Sequence, residues 1–309
     1  MTRRLAASQC EASPWDGLSA SKNLLVKILD FYPSWNILSA VAKVRLDQLL
    51  VERGLAESRE RGQRLILAGE VMLGDRVADR PGLLVAPDAD IRIKQRLPYV
   101  SRGGLKLAAA LDAFPISVAG AACADVGAST GGFTDVLLQR GAARVIAIDV
   151  GYGQIDWTLR SDPRVSVLDR TNARSVTALP PDPSTGRPTI ARIVTIDVSF
   201  ISLKLILPAV ASWLAEDGHV IALIKPQFEA GRDRVGKGGV VRDPQTHRDV
   251  LRSMLNWAAE HGWITRGLIR SPIEGPAGNV EFLTWLAPAA SHAQPIDLEA
   301  AIDRLVPPE

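Results

Sequence analysis

Cysteine is scarce in this chain: Cys10 and Cys123 are the whole complement among 309 residues. No C-x-x-C and no paired Cys/His spacing occurs, which argues against a zinc site and a disulfide framework, and no metal is expected. Cys123 falls in an apolar run and reads as buried packing. Long apolar stretches are also missing. Residues 23–42, the most apolar N-terminal run, are broken by Lys27, Asp30 and Pro33, so no membrane-spanning helix is expected. Arg3 and Arg4 give a charged start, but the apolar region before Cys10 is too short for a secretion or lipoprotein signal. A cytoplasmic protein without membrane attachment is the expectation. A dominant charge sign is absent overall, since the net charge is +2. The balance is local instead, with an excess of Arg and Lys from Lys43 to Lys106.

What the chain does contain is a turn of tiny residues after an apolar strand. Asp125 nearly ends the run that closes at Val126, and Gly127, Ser129, Gly131 and Gly132 lie between that run and a helix expected over 133–140. Glycine and alanine there let a ligand lie against bare backbone. A second strand, 144–148, ends in Asp149. Strand, glycine turn, helix, strand and acid form the plan of a nucleotide-binding βαβ unit, in which the acid grips ribose hydroxyls. The spacing is not G-x-G-x-x-G. Gly151 and Gly153 begin that pattern, but Asp156 stands where its third glycine belongs. Gly127 and Gly132 have the P-loop interval, but Phe133 replaces the lysine. Nothing is placed to hold a pyrophosphate or triphosphate. Asp125, Gly127, Gly131, Gly132 and Phe133 resemble motif I of the S-adenosylmethionine methyltransferases, whose ligand is a nucleoside carrying a sulfonium amino acid. That resemblance implies Gly127, Ser129 and Gly131 near its methionine part, Asp125 and Gly132 also in the cofactor site, and Asp149 on the ribose. Asp169 and Asn172 are candidates for the adenine edge.

Length suits one large domain plus a small one. Residues 1–42 fit neither and are expected to be a flexible extension, a partner segment or a stretch ahead of the usual start. A compact module follows over 43–93. One helix is marked by Leu46, Leu49, Leu50 and Val51, and Ser58 caps a second one over 59–68. Strands are expected at 71–73 and 90–93. The order resembles the S4 RNA-binding domain, with Arg45 ahead of the first helix and Arg59, Arg61 and Arg64 read as one basic face toward phosphates. Residues 94–101 read as a linker. Strands near 122, 145, 165, 194 and 220 alternate with helices, which makes 102–288 a doubly wound α/β sheet. Strands around 264–269 and 279–285 should form a hairpin, giving the antiparallel last strand of a Rossmann-like methyltransferase. Residues 289–309 read as a C-terminal tail.

Lys106, Asp197, Lys225 and Glu281 fall on an early helix or at strand ends, where open α/β sheets present their chemistry. Together they resemble the K-D-K-E tetrad of the FtsJ-like ribose 2′-O-methyltransferases. With the S4-like module, residues 44–288 closely resemble the TlyA, or haemolysin A, family of RNA methyltransferases. Segments around Lys106, the glycine turn, Asp197 to Leu203 and Leu223 to Glu229 carry the likeness. It implies S-adenosylmethionine as cofactor, ribosomal RNA or ribosomal subunits as partner, and cytidine in small- or large-subunit RNA as target.

A ribose hydroxyl is a poor nucleophile, so its proton must leave as the methyl arrives. Lys225 is the candidate base and serves only when neutral, a form that a dry site and a neighbouring cation favour. Lys106 is expected to be that cation or to stabilise the developing alkoxide, with Asp197 orienting Lys225 and Glu281 holding Lys106 or the ribose. The glycine-rich loop 231–242 carries Arg232 and Lys237 and is expected to close over RNA. The rival readings are a non-catalytic RNA-binding protein, which four intact tetrad positions oppose, and a membrane-active haemolysin, which the missing spanning segment opposes. A small-molecule methyltransferase would leave the S4-like module without a purpose.

Overall fold

The computed structural model describes residues 42–93, 97–291 and 293–307. The expected N-terminal extension and the first residues of the expected linker lie outside the described residues. The chain divides into two compact units, Met1–Arg96 and Leu97–Glu309.

The first unit runs β1 (Val44–Arg45), α1 (Leu46–Glu52), α2 (Arg59–Leu67), β2 (Val71–Leu73), β3 (Arg76–Val77), β4 (Leu84–Val85) and β5 (Ile91–Ile93). Ser58 caps α2 by accepting from the Arg61 amide at 3.2 Å, as its position predicts. β2 pairs with both β3 and β5, and β1 with β4, all antiparallel. The short strands β3 and β4 lie between the two strands expected at 71–73 and 90–93. Leu46, Leu50, Ile66 and Val71 are fully enclosed, each contributing roughly 1.5–3 kcal/mol of burial.

A buried carboxylate organises the basic side of this unit. Asp47 is fully enclosed and accepts from Arg45 at 3.0 and 2.8 Å, Arg59 at 3.0 Å and Gln63 at 2.9 Å. The Arg45 guanidinium, aided by Gln63 and Arg59, holds this carboxyl far below the usual range against the effect of burial. Arg59 therefore leans toward Asp47 although it is itself exposed, and Arg61 and Arg64 are exposed without that tie. The three arginines do not form the single face expected, because helix positions two apart point to opposite sides.

The second unit runs α3 (Gly103–Ala113), β6 (Ala122–Val126), α4 (Gly132–Gln139), β7 (Arg144–Ile148), α5 (Trp157–Arg160), β8 (Val165–Leu168), β9 (Ala191–Ile196), α6 (Leu207–Ala211), β10 (Leu214–Ile224), α7 (Pro226–Glu229), α8 (Pro244–Glu260), β11 (Trp263–Arg270), β12 (Phe282–Pro288) and α9 (Leu298–Leu305). Its sheet has seven strands in the order β11-β12-β10-β9-β6-β7-β8. β12 is antiparallel to both of its neighbours, β10 and β11, while β10, β9, β6, β7 and β8 pair in parallel. This is the Rossmann-like methyltransferase sheet with an antiparallel last strand.

The strands are apolar on both faces, as a covered parallel sheet requires, and their period of two deals side chains into two cores. Ala124, Val126, Ile146, Ile148, Val194 and Ile196 join one core with α6, α8 and α9. Cys123, Val145, Ala147 and Ile193 join the other with α3 and α4. The segment expected as a tail holds α9, in which Ala301 and Ile302 are buried. Leu298, Ala301, Ile302 and Leu305 repeat at helical spacing behind the N-cap Asp297, a signal that a short polar stretch ahead of it had obscured.

Asp125, expected beside the cofactor, points into the second core instead. It is fully enclosed and pairs in register with Thr195 on β9. Its oxygens accept from Thr195 Oγ1 at 3.0 Å and Thr134 Oγ1 of α4 at 2.7 Å. Burial pushes its carboxyl up to about 6, opposed by the two hydroxyls and assisted by the Asp197 charge. The unfolded chain releases this proton near pH 4. Between those values ionisation weakens the fold, because only the native state still holds the proton. Asp125→Asn removes that ionisation at nearly constant shape. Its melting temperature should gain on the wild type as pH rises from about 4 to about 6 and hold a fixed offset above that. Thermal melts that show an offset independent of pH would exclude this account.

Candidate active site

Four charged side chains from distant parts of the chain line one cavity of about 320 Å3: Lys106 of α3, Asp197 after β9, Lys225 after β10 and Glu281 before β12. They form two ion pairs. Lys106 Nζ meets Glu281 Oε2 at 2.5 Å, and Lys225 Nζ meets Asp197 Oδ1 at 2.6 Å. Lys106, Lys225 and Glu281 are all buried. An ammonium group without a counter-charge is not tolerated in such a place, so each lysine depends on its carboxylate. Lys225 Nζ also donates to Ser199 Oγ at 2.9 Å. The Lys225–Asp197 contact lacks hydrogen-bond alignment, so the enclosed Asp197 Oδ1 keeps accepting capacity.

The turn after β6 is pressed onto this cavity. Gly127 has φ +82°, and a Cβ there would lie 2.5 Å from the Asp197 carbonyl oxygen. Only glycine lets the turn and the end of β9 touch. A Cβ on Gly132 would strike the Ser101 hydroxyl and lie 2.9 Å from the Gly104 amide, so α4 and α3 start against each other. Gly131, at φ +95°, packs against Leu159 and Ile155. It supports the turn and lines neither cavity.

A second cavity, of about 470 Å3, shares Gly127, Ser129, Asp197 and Ser199 with the first. Asp149 stands in its wall at the end of β7, together with Ile148, Val150, Ile201, Ile206 and Asn172. The carboxylate is fixed by the Ser129 amide at 2.8 Å and the Gly151 amide at 2.7 Å. Each oxygen retains a lone pair for a further donor. Asp169 is not in the wall. Its oxygens are taken by Arg160 at 2.7 Å and the Gly153 amide at 3.3 Å, which ties β8 to α5. Asn172 does line the cavity, and its side chain also caps the following turn by accepting from the Arg174 amide.

Sequence reasoning missed several supporting residues. Ser199 lies inside the segment that carried the family likeness, but nothing in its spacing pointed at Lys225. Glu229 accepts from Ser202 Oγ at 2.7 Å and the Leu203 amide at 2.8 Å, so α7 holds the loop that follows Asp197. Burial pushes this carboxyl up, against those two donors. Arg232 and Lys237 are exposed on the glycine-rich loop. Among the described residues no three His, Cys, Asp or Glu side chains cluster as metal ligands, and no helix is long and apolar enough to cross a membrane.

Comparison with known proteins agrees with this architecture. Residues 99–287 match the FtsJ-like methyltransferase family, and residues 44–91 match the S4 domain. Bacillus subtilis YqxC is 53% identical over 245 residues, covering 79% of this chain and 85% of its own. The 16S/23S rRNA (cytidine-2′-O)-methyltransferase TlyA of Mycobacterium tuberculosis is 46% identical over 267 residues, covering 85% of this chain and 97% of its own. A solved structure of a Streptococcus thermophilus protein bearing a haemolysin name is 44% identical, with a TM-score of 0.63, and covers 86% of this chain and 95% of that one. A sheet with an inserted antiparallel strand, the two Lys–carboxylate pairs and these relatives together make the chain a member of the TlyA family of FtsJ-like methyltransferases with an S4 domain.

Proposed function

We propose that the protein methylates the ribose 2′-hydroxyl of ribosomal RNA, with S-adenosylmethionine as the methyl donor and cytidine in 16S and 23S RNA as target. The target is that in the name of the Mycobacterium tuberculosis relative, and a cytoplasmic location goes with it. The observation that carries the reading is the cavity in which Lys106–Glu281 and Lys225–Asp197 face a common space beside Asp149.

The second cavity suits a nucleoside. Asp149 offers free lone pairs for ribose hydroxyls, and Ile148, Val150, Ile201 and Ile206 offer flat apolar contact for a base with Asn172 at its edge. Gly127, Ser129 and Gly132, shared with or facing the first cavity, leave room toward the tetrad. S-adenosylmethionine supplies an electrophilic methyl group when bound. The protein's task is to orient the hydroxyl and remove its proton. Lys225, held by Asp197 and Ser199, is the proton acceptor once it has released its own proton to solvent. Lys106, held by Glu281, stabilises the oxygen as it becomes anionic. The exposed Arg61 and Arg64 meet RNA phosphates, Arg45 and Arg59 do so from positions braced by Asp47, and Arg232 and Lys237 do so beside the site.

Four variants test this. Lys225→Ala should lower single-turnover methyl transfer by roughly 10²–10⁴-fold with cofactor still bound. Lys225→Arg should fail equally, because a guanidinium cannot accept the proton. An active Lys225→Arg enzyme would remove the base role while leaving methyl transfer itself intact. Asp149→Ala should weaken S-adenosylmethionine binding in calorimetry while the chain still melts cooperatively, a few °C lower for its two lost amide contacts, and unaltered affinity would take Asp149 out of the site. Arg64→Ala should flatten the dependence of RNA binding on salt by about one counter-ion. Filter binding from low to high salt reads this directly, and an unchanged slope would remove the phosphate contact.

A further inference from the structure

We propose that Asn279 is a positioning residue that couples the basic glycine-rich loop to the Lys106–Glu281 pair. The proposal rests on the RNA-methylating reading above. Asn279 is buried just before β12, two residues ahead of Glu281. Its amide bridges two backbone groups of the loop: Nδ2 donates to the Gly239 carbonyl at 2.9 Å, and Oδ1 accepts from the Val241 amide at 3.0 Å. One side chain thus satisfies backbone groups of 239–241 that would otherwise need a partner strand.

The other backbone group of Val241 is held separately. Its carbonyl meets His247 Nε2 of α8 at 3.0 Å. A carbonyl only accepts, so Nε2 carries the proton in this contact. The His247 ring packs edge-on against Phe282, with centroids 5.8 Å apart. The loop is therefore fastened to residues 279 and 282, on either side of Glu281. Beyond this anchor the loop is open. Gly236 and Val240 close a tight turn at 3.1 Å, Gly238 and Gly239 take positive φ, and Lys237 and Arg242 are exposed.

The backbone of Asn279 also belongs to the site. Its carbonyl accepts from the Gly275 amide at 2.9 Å, closing the turn whose Ile273, Glu274 and Pro276 line the catalytic cavity. A buried asparagine at this point gains nothing from packing that an aliphatic residue would not supply. Its two amide contacts give the arrangement a direction: phosphates that seat the exposed tip of the loop also set the approach of Glu281 to Lys106.

A double-mutant cycle in the full-length chain separates this from simple structural support. The variants are Asn279→Ala, Lys237→Ala and the pair, with Asn279→Asp as a replacement of nearly equal volume that turns the Nδ2 donor into an acceptor oxygen and adds an acid. The substrates are the purified ribosomal subunits that the wild type methylates. At saturating RNA, Asn279→Ala should lower the single-turnover rate roughly tenfold, the scale of two lost hydrogen bonds, with S-adenosylmethionine affinity within about twofold of wild type. Lys237→Ala should slow the wild type several-fold and the Asn279→Ala enzyme hardly at all. Tryptic cleavage at Lys237 and Arg242 should speed up roughly tenfold as the anchor is lost. Rates that multiply independently in the cycle overturn the coupling. If Asn279→Ala does not fold, the same cycle in the Asn279→Asp background decides. A wild type that methylates no subunit would overturn the functional reading, whereas unchanged tryptic cleavage in both Asn279 variants would overturn the fastening itself.

Discussion

Two ammonium groups inside a protein demand two counter-charges, and that demand arranges the catalytic half of this molecule. Lys106 and Lys225 are buried and each faces a carboxylate in contact. Removing either carboxylate alone would strand a charge in a poorly solvated place, at a penalty of several kcal/mol. The four side chains therefore stand or fall as pairs. The sheet follows from the same requirement. Asp197 and Lys225 reach each other because β9 and β10 are parallel neighbours ending on one side. Glu281 reaches Lys106 because β12 starts from that same side, running the other way.

The glycine turn is the second constraint, and it acts through space rather than charge. Gly127 permits the backbone of the turn to rest on Asp197, so the two cavities share wall residues instead of standing apart. Below it, Asp125 joins β6, β9 and α4 through two hydroxyls. The first acid of the motif thus shapes the turn from beneath, while the acid at the end of the next strand, Asp149, faces the ligand space.

Much of this was legible in the sequence because the signals were local and periodic. Apolar runs, Ser58 as a cap, the tiny residues of the turn and the strand-end acids each announce themselves within a few positions. What was not legible was direction. Asp125 and Asp149 both end or nearly end a strand, and only the pleat decides that the first points into a core and the second into a cavity. Asp169 looked like a third such acid, but Arg160, nine residues earlier, claims it. Arg59 looked like part of a basic face, but Asp47 turns it. Such choices depend on partners brought close by folding, which spacing along the chain does not encode. The helix α9 is a different case. Its pattern was present but short, and a polar approach made it read as a tail.

The place of β12 in the sheet has a consequence for the order of assembly. The contact between Lys106 and Glu281 spans 175 positions, and β12 occupies an interior place between β10 and β11. Contacts of such long range close late, because chain entropy must be overcome first. During synthesis, β6 to β10 emerge and can pair while the strand that completes the sheet is still unmade. For that interval Lys106 has no counter-charge and β10 offers an unpaired edge. The Lys106–Glu281 pair and the last interior strand thus arrive together, and a chain that stops short of residue 281 leaves Lys106 unpaired and β10 and β11 without the strand between them.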